Sequence, residues 1–186
     1  DSMIYSDGAG ATILEAQATG GEAGILAHSS RSDTKEHSVM LHMEKSSNPD
    51  YPGNDLFLKM QGHKLYKYAL QTVPELVKES LDKAKISIDN IKKVLLHQAN
   101  EKMDVEILKR LYNLFGYKDI MNDFIKKVLP MSISWLGNSS VATIPTLLDL
   151  ILKGVFEGHT FKSKDIAVMA SVGAGMNINS VVYKFP

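Results

Sequence analysis

From Asn138 to Gly154 the chain reads NSSVATIPTLLDLILKG, a stretch whose second half has almost no polar side. Asn138 or Ser139 can cap a helix that runs to about Lys153, with Gly154 as its stop. Small residues fill the first turns, at Ser139, Ser140, Ala142 and Thr143, and the later turns are apolar apart from Asp149 and Lys153. A surface helix keeps a polar face at the 3.6-residue period, and this one does not. It needs cover on most sides, which a layered fold supplies by holding it between a sheet and a further layer.

The rest of the chain supplies such layers. Met3 to Gln17 holds two short strand-like runs joined by Ser6-Asp7-Gly8-Ala9-Gly10, a hairpin-type start with turn glycines at Gly8 and Gly10. Ile25–Ala27 and Ser38–Met43 add strands on either side of a polar segment, Ser29–Glu36, and Ser46–Asn54 is a loop with two prolines and a glycine. From Gln61 to Lys85, Leu65, Tyr68, Ala69, Val73, Leu76, Val77 and Leu81 recur at helical spacing, and Pro74 is expected to kink that helix or start a second segment. A strand at Val94–Leu96, a helix over Asp104–Phe115 ending at Gly116 and a short helix near Asn122–Val128 follow. Ile166–Val172, the turn Gly173-Ala174-Gly175 and Met176–Phe185 close the chain as a hairpin. Strands and helices alternate without an internal repeat, which predicts an α/β layered domain with a mixed sheet.

Totals narrow the chemistry. With 186 residues, 44% of them hydrophobic, the chain can fill one core. Its 21 basic residues balance 21 acidic ones, so no global field gathers nucleic acid or an anionic membrane. No apolar run approaches the roughly 20 residues that span a bilayer, and DSMIYSDGAG lacks the regions of a signal peptide, so the expectation is a cytoplasmic protein. There is no cysteine, which removes disulfides, thiolate metal sites and any thiol nucleophile of the chain's own; no metal site is expected. Asp1 stands where a start methionine would, with strand-like sequence directly behind it, so the chain is expected to be a piece of a longer product.

The stretch KVLLHQAN, Lys93 to Asn100, is a buried strand that ends in hydrogen-bonding side chains. Functional groups of α/β sheets gather where strands end. His97, Gln98 and Asn100 lie there; Asn138 lies where the apolar helix begins, and Gly173 to Gly175 where the penultimate strand ends. Singly, each has a plain reading: a locally satisfied histidine, an N-cap, a pair of turn glycines. Together they can converge on one crevice.

At this point the blocks HQAN (97–100), GNSSVATIP (137–145), SVGAGM (171–176), SDGAGA (6–11) and MQGHKLYKYAL (60–70) resemble, in order, the C-terminal half of 3-oxoacyl-acyl carrier protein synthase III, a condensing enzyme of the thiolase-like fold. The resemblance covers nearly the whole chain, 1–186, and implies a Cys-His-Asn site whose cysteine belongs to the N-terminal half. That cysteine takes an acyl group from acyl-CoA; malonyl-acyl carrier protein then loses carbon dioxide and attacks the thioester. By match, His97 and Asn138 are the catalytic histidine and asparagine, expected to offer Nε2-H and an amide N-H to the developing enolate. Ala174 N-H is the match for a backbone oxyanion donor; many relatives carry glycine there, and alanine fits if its φ is negative. Gln98 and Asn100, with Gly173 and Gly175, are expected to support the site by orienting His97 and pinning the loops. Lys102, Lys109 and Arg110 match basic positions that dock the acidic carrier protein, though a solvated helix face explains them equally.

The resemblance further implies acyl-CoA and malonyl-acyl carrier protein as substrates, no bound cofactor, the chain's own N-terminal half as partner and a homodimer when intact. Packing of two similar halves would cover the apolar helix, one flank of which would otherwise lie bare. Two alternatives stand beside this reading: a condensing enzyme of polyketide or alkylresorcinol synthesis, and a non-catalytic carrier-protein-binding subunit.

Overall fold

The structure is a computed structural model that describes residues 5–16 and 22–186. Among them the elements follow as β1 (Gly24–Ser32), α1 (Thr34–His37), β2 (Leu41–Lys45), β3 (Leu56–Met60), α2 (Gly62–Ala84), β4 (Ile91–Leu96), α3 (Glu101–Asn113), α4 (Asn122–Val128), α5 (Ile133–Leu136), α6 (Thr143–Leu152), β5 (Ile166–Gly173) and β6 (Asn177–Lys184). The main sheet has the order β1-β6-β5-β4, and β2 pairs with β3 in a separate ribbon. β4 and β5 run parallel while the other two pairings are antiparallel, so the sheet is mixed, as the element order predicts. No helix among the described residues is long and apolar enough to cross a membrane.

Strand side chains alternate between faces, and β4 shows what each face meets. Val94 and Leu96 join Leu81 of α2 and Leu108 and Leu111 of α3 in the large core. Leu95 points the other way, against Leu147 and Ile151 of α6. The buried residues of α6 are Thr143, Leu147 and Ile151, spaced four apart, one stripe and no more. Val141, just before the helix, keeps 89% of its surface exposed, and Leu152 and Val155 are exposed too. The flank expected to lie bare does so.

Four expectations are corrected. First, residues 6–16 form no hairpin: Tyr5 makes one bridge to Asn138 and the remainder is irregular. Ile13 and Leu14 stay exposed, and strand propensity without a partner's hydrogen bonds makes no strand. Met3, Ile4 and Gln17 of that reading lie outside the described residues. Gly8 and Gly10 also prove to be sites of close approach, not turn glycines; a Cβ on Gly10 would sit 2.4 Å from Pro145 Cγ, and one on Gly8 2.8 Å from Ser139 Cβ. Second, Pro74 does not divide α2, which runs unbroken for 23 residues. A proline removes one helical hydrogen bond, and Val73, Leu76, Val77 and Leu81 are buried on both sides of it. Third, the polar segment after Ala27 does not separate strands at Ser29: β1 continues to Ser32, paired with β6 on one side only, and a strand at the edge of a sheet tolerates polar residues. Fourth, the helix does not start at Asn138 or Ser139, because Ser140 has φ +53°, which no α-helix includes; a 3₁₀ turn over Ser140–Ala142 leads into α6.

Candidate active site

β4 is parallel to β5, and the ladder continues one step past its end through His97 N-H to the Ala170 carbonyl, 2.9 Å. That bond fixes the backbone of His97 at the sheet's edge. On the opposite side α5 ends at Gly137, whose φ of +68° and ψ of −167° suit glycine almost alone, and the chain swings Asn138 inward to 2% exposure. Residues 5–6 hold Asn138 from behind: Ser6 N-H donates to its carbonyl at 2.9 Å and Ser6 Oγ to that of Leu136 at 2.6 Å.

These elements enclose a small cavity of about 50 Å³ lined by Tyr5, Leu41, Met60, His97, Asn138 and Gly173, among others. The imidazole and the carboxamide thus share one space, although their positions are far apart in sequence. A wide, mostly apolar groove of about 500 Å³ adjoins it, sharing Tyr5 and Leu41 and continuing along Met43, Leu58, Ser140 and Ala174.

Hydrogen bonds set how both side chains are presented. Asn138 Oδ1 accepts Ser140 N-H at 2.9 Å, which leaves the Nδ2 donors for other partners. His97 Nδ1 lies 3.0 Å from the Ser140 carbonyl, an acceptor only, so the proton is on Nδ1. Burial lowers the His97 pKa below the ordinary imidazole value, against a smaller opposing effect of that carbonyl. A neutral ring with its proton on Nδ1 presents a lone pair at Nε2, so the expected Nε2-H arises only when the ring is doubly protonated.

The supporting residues divide their work differently from the expectation. Gln98 is fully buried and makes no hydrogen bond to His97. Its Nε2 donates to the Pro130 carbonyl at 2.7 Å, and its Oε1 accepts from Ser132 N-H at 2.8 Å and Ile133 N-H at 2.9 Å. It therefore ties the loop after β4 to the start of α5, which delivers Asn138. Asn100 caps α3, accepting Met103 N-H at 3.2 Å. Ala174 has negative φ, meeting its condition, but it lines the adjoining groove rather than the cavity that holds His97. Of the turn glycines, Gly175 has φ +86° and Asn177 Nδ2 at 2.8 Å from where a Cβ would be, whereas Gly173 has open space.

Lys102, Lys109 and Arg110 are all exposed on α3. Lys102 and Lys109 pair with no described residue, while Arg110 Nε is held by Glu106 Oε1 at 2.8 Å. Glu101 and Glu106 share the helix, so its surface is mixed in charge. Among the described residues no group of three or more histidines, aspartates or glutamates is placed to hold a metal ion. Sequence reasoning missed Tyr5 and Ser140; the first lies in a run that reads as strand, and nothing in the one-letter string marks a left-handed serine.

The family described as 3-oxoacyl-[acyl-carrier-protein (ACP)] synthase III C terminal matches residues 81–185. A beta-ketoacyl-[acyl-carrier-protein] synthase III of Prochlorococcus marinus (strain NATL2A) is 30% identical over 97% of this chain, which covers 51% of that protein. The chain spans about half the length of the curated relatives it matches. Among solved structures, the 3-oxoacyl-[acyl-carrier-protein] synthase III of Aquifex aeolicus VF5 matches with a TM-score of 0.69 at 24% identity, over 90% of this chain and 46% of that one. The priming beta-ketosynthase of the R1128 polyketide pathway matches with a TM-score of 0.66 at 23% identity, over 88% and 45%. These likenesses establish the thiolase-like layered fold. With a family profile running over more than half of its length, the chain belongs to the 3-oxoacyl-[acyl-carrier-protein] synthase III C-terminal family.

Proposed function

We propose that residues 1–186 form the C-terminal domain of a decarboxylating condensing enzyme that joins an acyl group from acyl-CoA to malonyl-acyl carrier protein, giving 3-oxoacyl-acyl carrier protein and starting fatty acid synthesis. The observation that carries this reading is the shared cavity of His97 and Asn138. The nucleophilic thiol comes from the N-terminal half, and this chain, with no cysteine, is inactive alone.

The chemistry follows from the presented atoms. His97 Nε2 takes the proton of the thiol, leaving thiolate and imidazolium. The thiolate attacks the acyl-CoA carbonyl, a carbon–sulfur bond forms, and coenzyme A leaves as a thiolate that solvent protonates. When the malonyl thioester enters, its carboxylate leaves as carbon dioxide and the electron pair moves onto the thioester oxygen as an enolate. His97 Nε2-H and Asn138 Nδ2-H donate to that oxygen, where fixed donors in a dry site are worth most. The enolate carbon attacks the acyl-enzyme carbonyl, and the cysteine leaves as the thiolate that began the cycle. Burial disfavours the imidazolium in isolation, and the thiolate, the malonyl carboxylate and the enolate that come to lie beside it offset that cost.

The apolar groove along Met43 and Leu58 suits an acyl or pantetheine chain. Lys102 and Lys109, exposed and without an ion-pair partner among the described residues, suit an acidic carrier protein. The enzyme acts in the cytoplasm as a homodimer and draws on its two thioester substrates without a further cofactor. The test is an assay of malonyl decarboxylation and acyl transfer on the intact protein with His97→Ala and Asn138→Ala. Each is expected to lower decarboxylation by about a hundredfold or more; wild-type decarboxylation in both would overturn the reading.

A further inference from the structure

We infer that Ser140 is the positioning residue of the site: its left-handed backbone holds His97 and Asn138 at once and thereby decides which atom each turns toward the cavity. The inference rests on the proposed condensing role of those two residues. Ser140 N-H donates to Asn138 Oδ1 at 2.9 Å, and its carbonyl accepts from His97 Nδ1 at 3.0 Å. One residue thus supplies a donor to the carboxamide and an acceptor to the imidazole. Reversing the first polarity would turn Asn138 Oδ1 to the cleft, where it would repel an oxyanion, and reversing the second would put the His97 proton on Nε2, leaving no lone pair there to take the thiol proton.

Both bonds depend on φ +53° at Ser140. Changing φ and ψ there rotates the peptide planes on either side, so neither bond survives a shift to the β or right-handed region. Among the described residues the other non-glycine positions with positive φ are Lys85 and Lys164, of which Lys85 caps the C-terminus of α2, a common place for that conformation. Ser140 instead opens the 3₁₀ turn that precedes α6. Its side chain is exposed, and its hydroxyl bonds to no described residue, so the backbone and not the hydroxyl does the work. Strain of this kind persists where surrounding structure over-determines it, and the two side-chain bonds provide that. The Tyr5 bridge to Asn138 adds to them.

Substitutions at 140 separate backbone from side chain. In the intact protein, S140G and S140N, which tolerate the left-handed region, are expected to keep the Nδ1-H tautomer of His97 and to lose far less turnover than a variant that does not. S140V, β-branched and averse to it, is expected to lower kcat by about a hundredfold, the effect of a misplacement near 1 Å, while KM for acyl-CoA changes little. Imidazole nitrogen-15 shifts of His97 provide a readout independent of activity: a proton on Nδ1 in wild type and S140G, and loss of that single tautomer in S140V. Should S140V not fold, S140A carries the same test with a smaller loss, about tenfold. Wild-type kcat and an unchanged Nδ1-H tautomer in S140V or S140A would overturn the inference. A protein without condensing activity whose tautomer still follows residue 140 would instead overturn the proposed function and leave the positioning role standing.

Discussion

The two faces of the four-stranded sheet are built to different degrees. On one, α2 and α3 bury Val73, Val77, Leu81, Leu108 and Leu111 with Val94, Leu96, Val168 and Ile178 into a continuous core. On the other, Leu95, Leu147 and Ile151 form a small cluster, helped by half-buried Leu148, Phe156, Phe161 and Met169. Val141, Leu152, Val155 and Trp135 stay exposed on or beside α6. The α2/α3 face is a finished interior; the α6 face is part of one. Stability of the chain is therefore concentrated on one side of the sheet, and the candidate site hangs from the less finished side through the turn that begins α6.

Truncation tests this contrast most strongly. Leu108→Ala, on the finished face, is expected to destabilise by about 3–5 kcal/mol in urea unfolding, because rigid neighbours cannot fill the hole. Leu147→Ala is expected to lose less, about 2 kcal/mol, because its half-buried neighbours in a small cluster can relax into the space. Equal losses would break the comparison.

Next in size are two buried titratable groups with opposite dependence on pH. Asp104 of α3 is fully buried with both carboxylate oxygens unpartnered. Burial, with a smaller contribution from Glu101, pushes its pKa up to about 8. The folded chain then keeps a proton that the unfolded chain loses above about pH 4, so stability falls as pH rises from there through 8. Asp104→Asn is expected to flatten that slope and to gain on the order of a few kcal/mol at pH 8. His159 lies edge-on to Phe156, and burial, aided by Lys93, lowers its pKa to about 4. Here the unfolded chain takes the proton first, and stability is lost as pH falls from about 6.5 toward 4. His159→Phe is expected to remove that acid-side loss, read from thermal midpoints across pH. A pH-independent wild type would refute both.

The smallest effect belongs to the bare flank. Val141→Ser and Leu152→Lys are expected to change stability by no more than about 0.5 kcal/mol, since neither side chain is buried. They should nonetheless reduce self-association of this chain in sedimentation, because exposed apolar patches drive it. Unchanged association would mean that the flank is not the sticky surface.

What the sequence disclosed follows the same division. α4 emerges at its observed bounds, Asn122–Val128, and the β5–β6 hairpin within a residue or two, because periodicity and glycine turns are local signals. β3 escaped notice: LFLKM behind a proline-rich loop has no alternation of its own and becomes a strand by pairing with β2. The polar half of β1 escaped for the reason that it is an edge. In the candidate site, the meeting of His97 and Asn138 in one cavity was legible from their motifs, and so was the pinning of a loop by Gln98. That Gln98 serves the Asn138 side, through Ser132 and Ile133, and that Ser140 bonds to both candidate residues, depends on through-space geometry with no counterpart in spacing.

Ser6 reaches Leu136 across 130 positions, and β1 pairs with β6 at the far end of the chain. Contacts between such distant parts of a polypeptide are slow to form, since a large loop has to close before any of them is rewarded. Helices α2 and α3 can dock early, while the pocket around Asn138 waits for residues 5–10 to arrive. Its assembly is thus a late folding event, and a bulky group at Gly10 would delay or abort it while leaving the α2/α3 core to form on schedule.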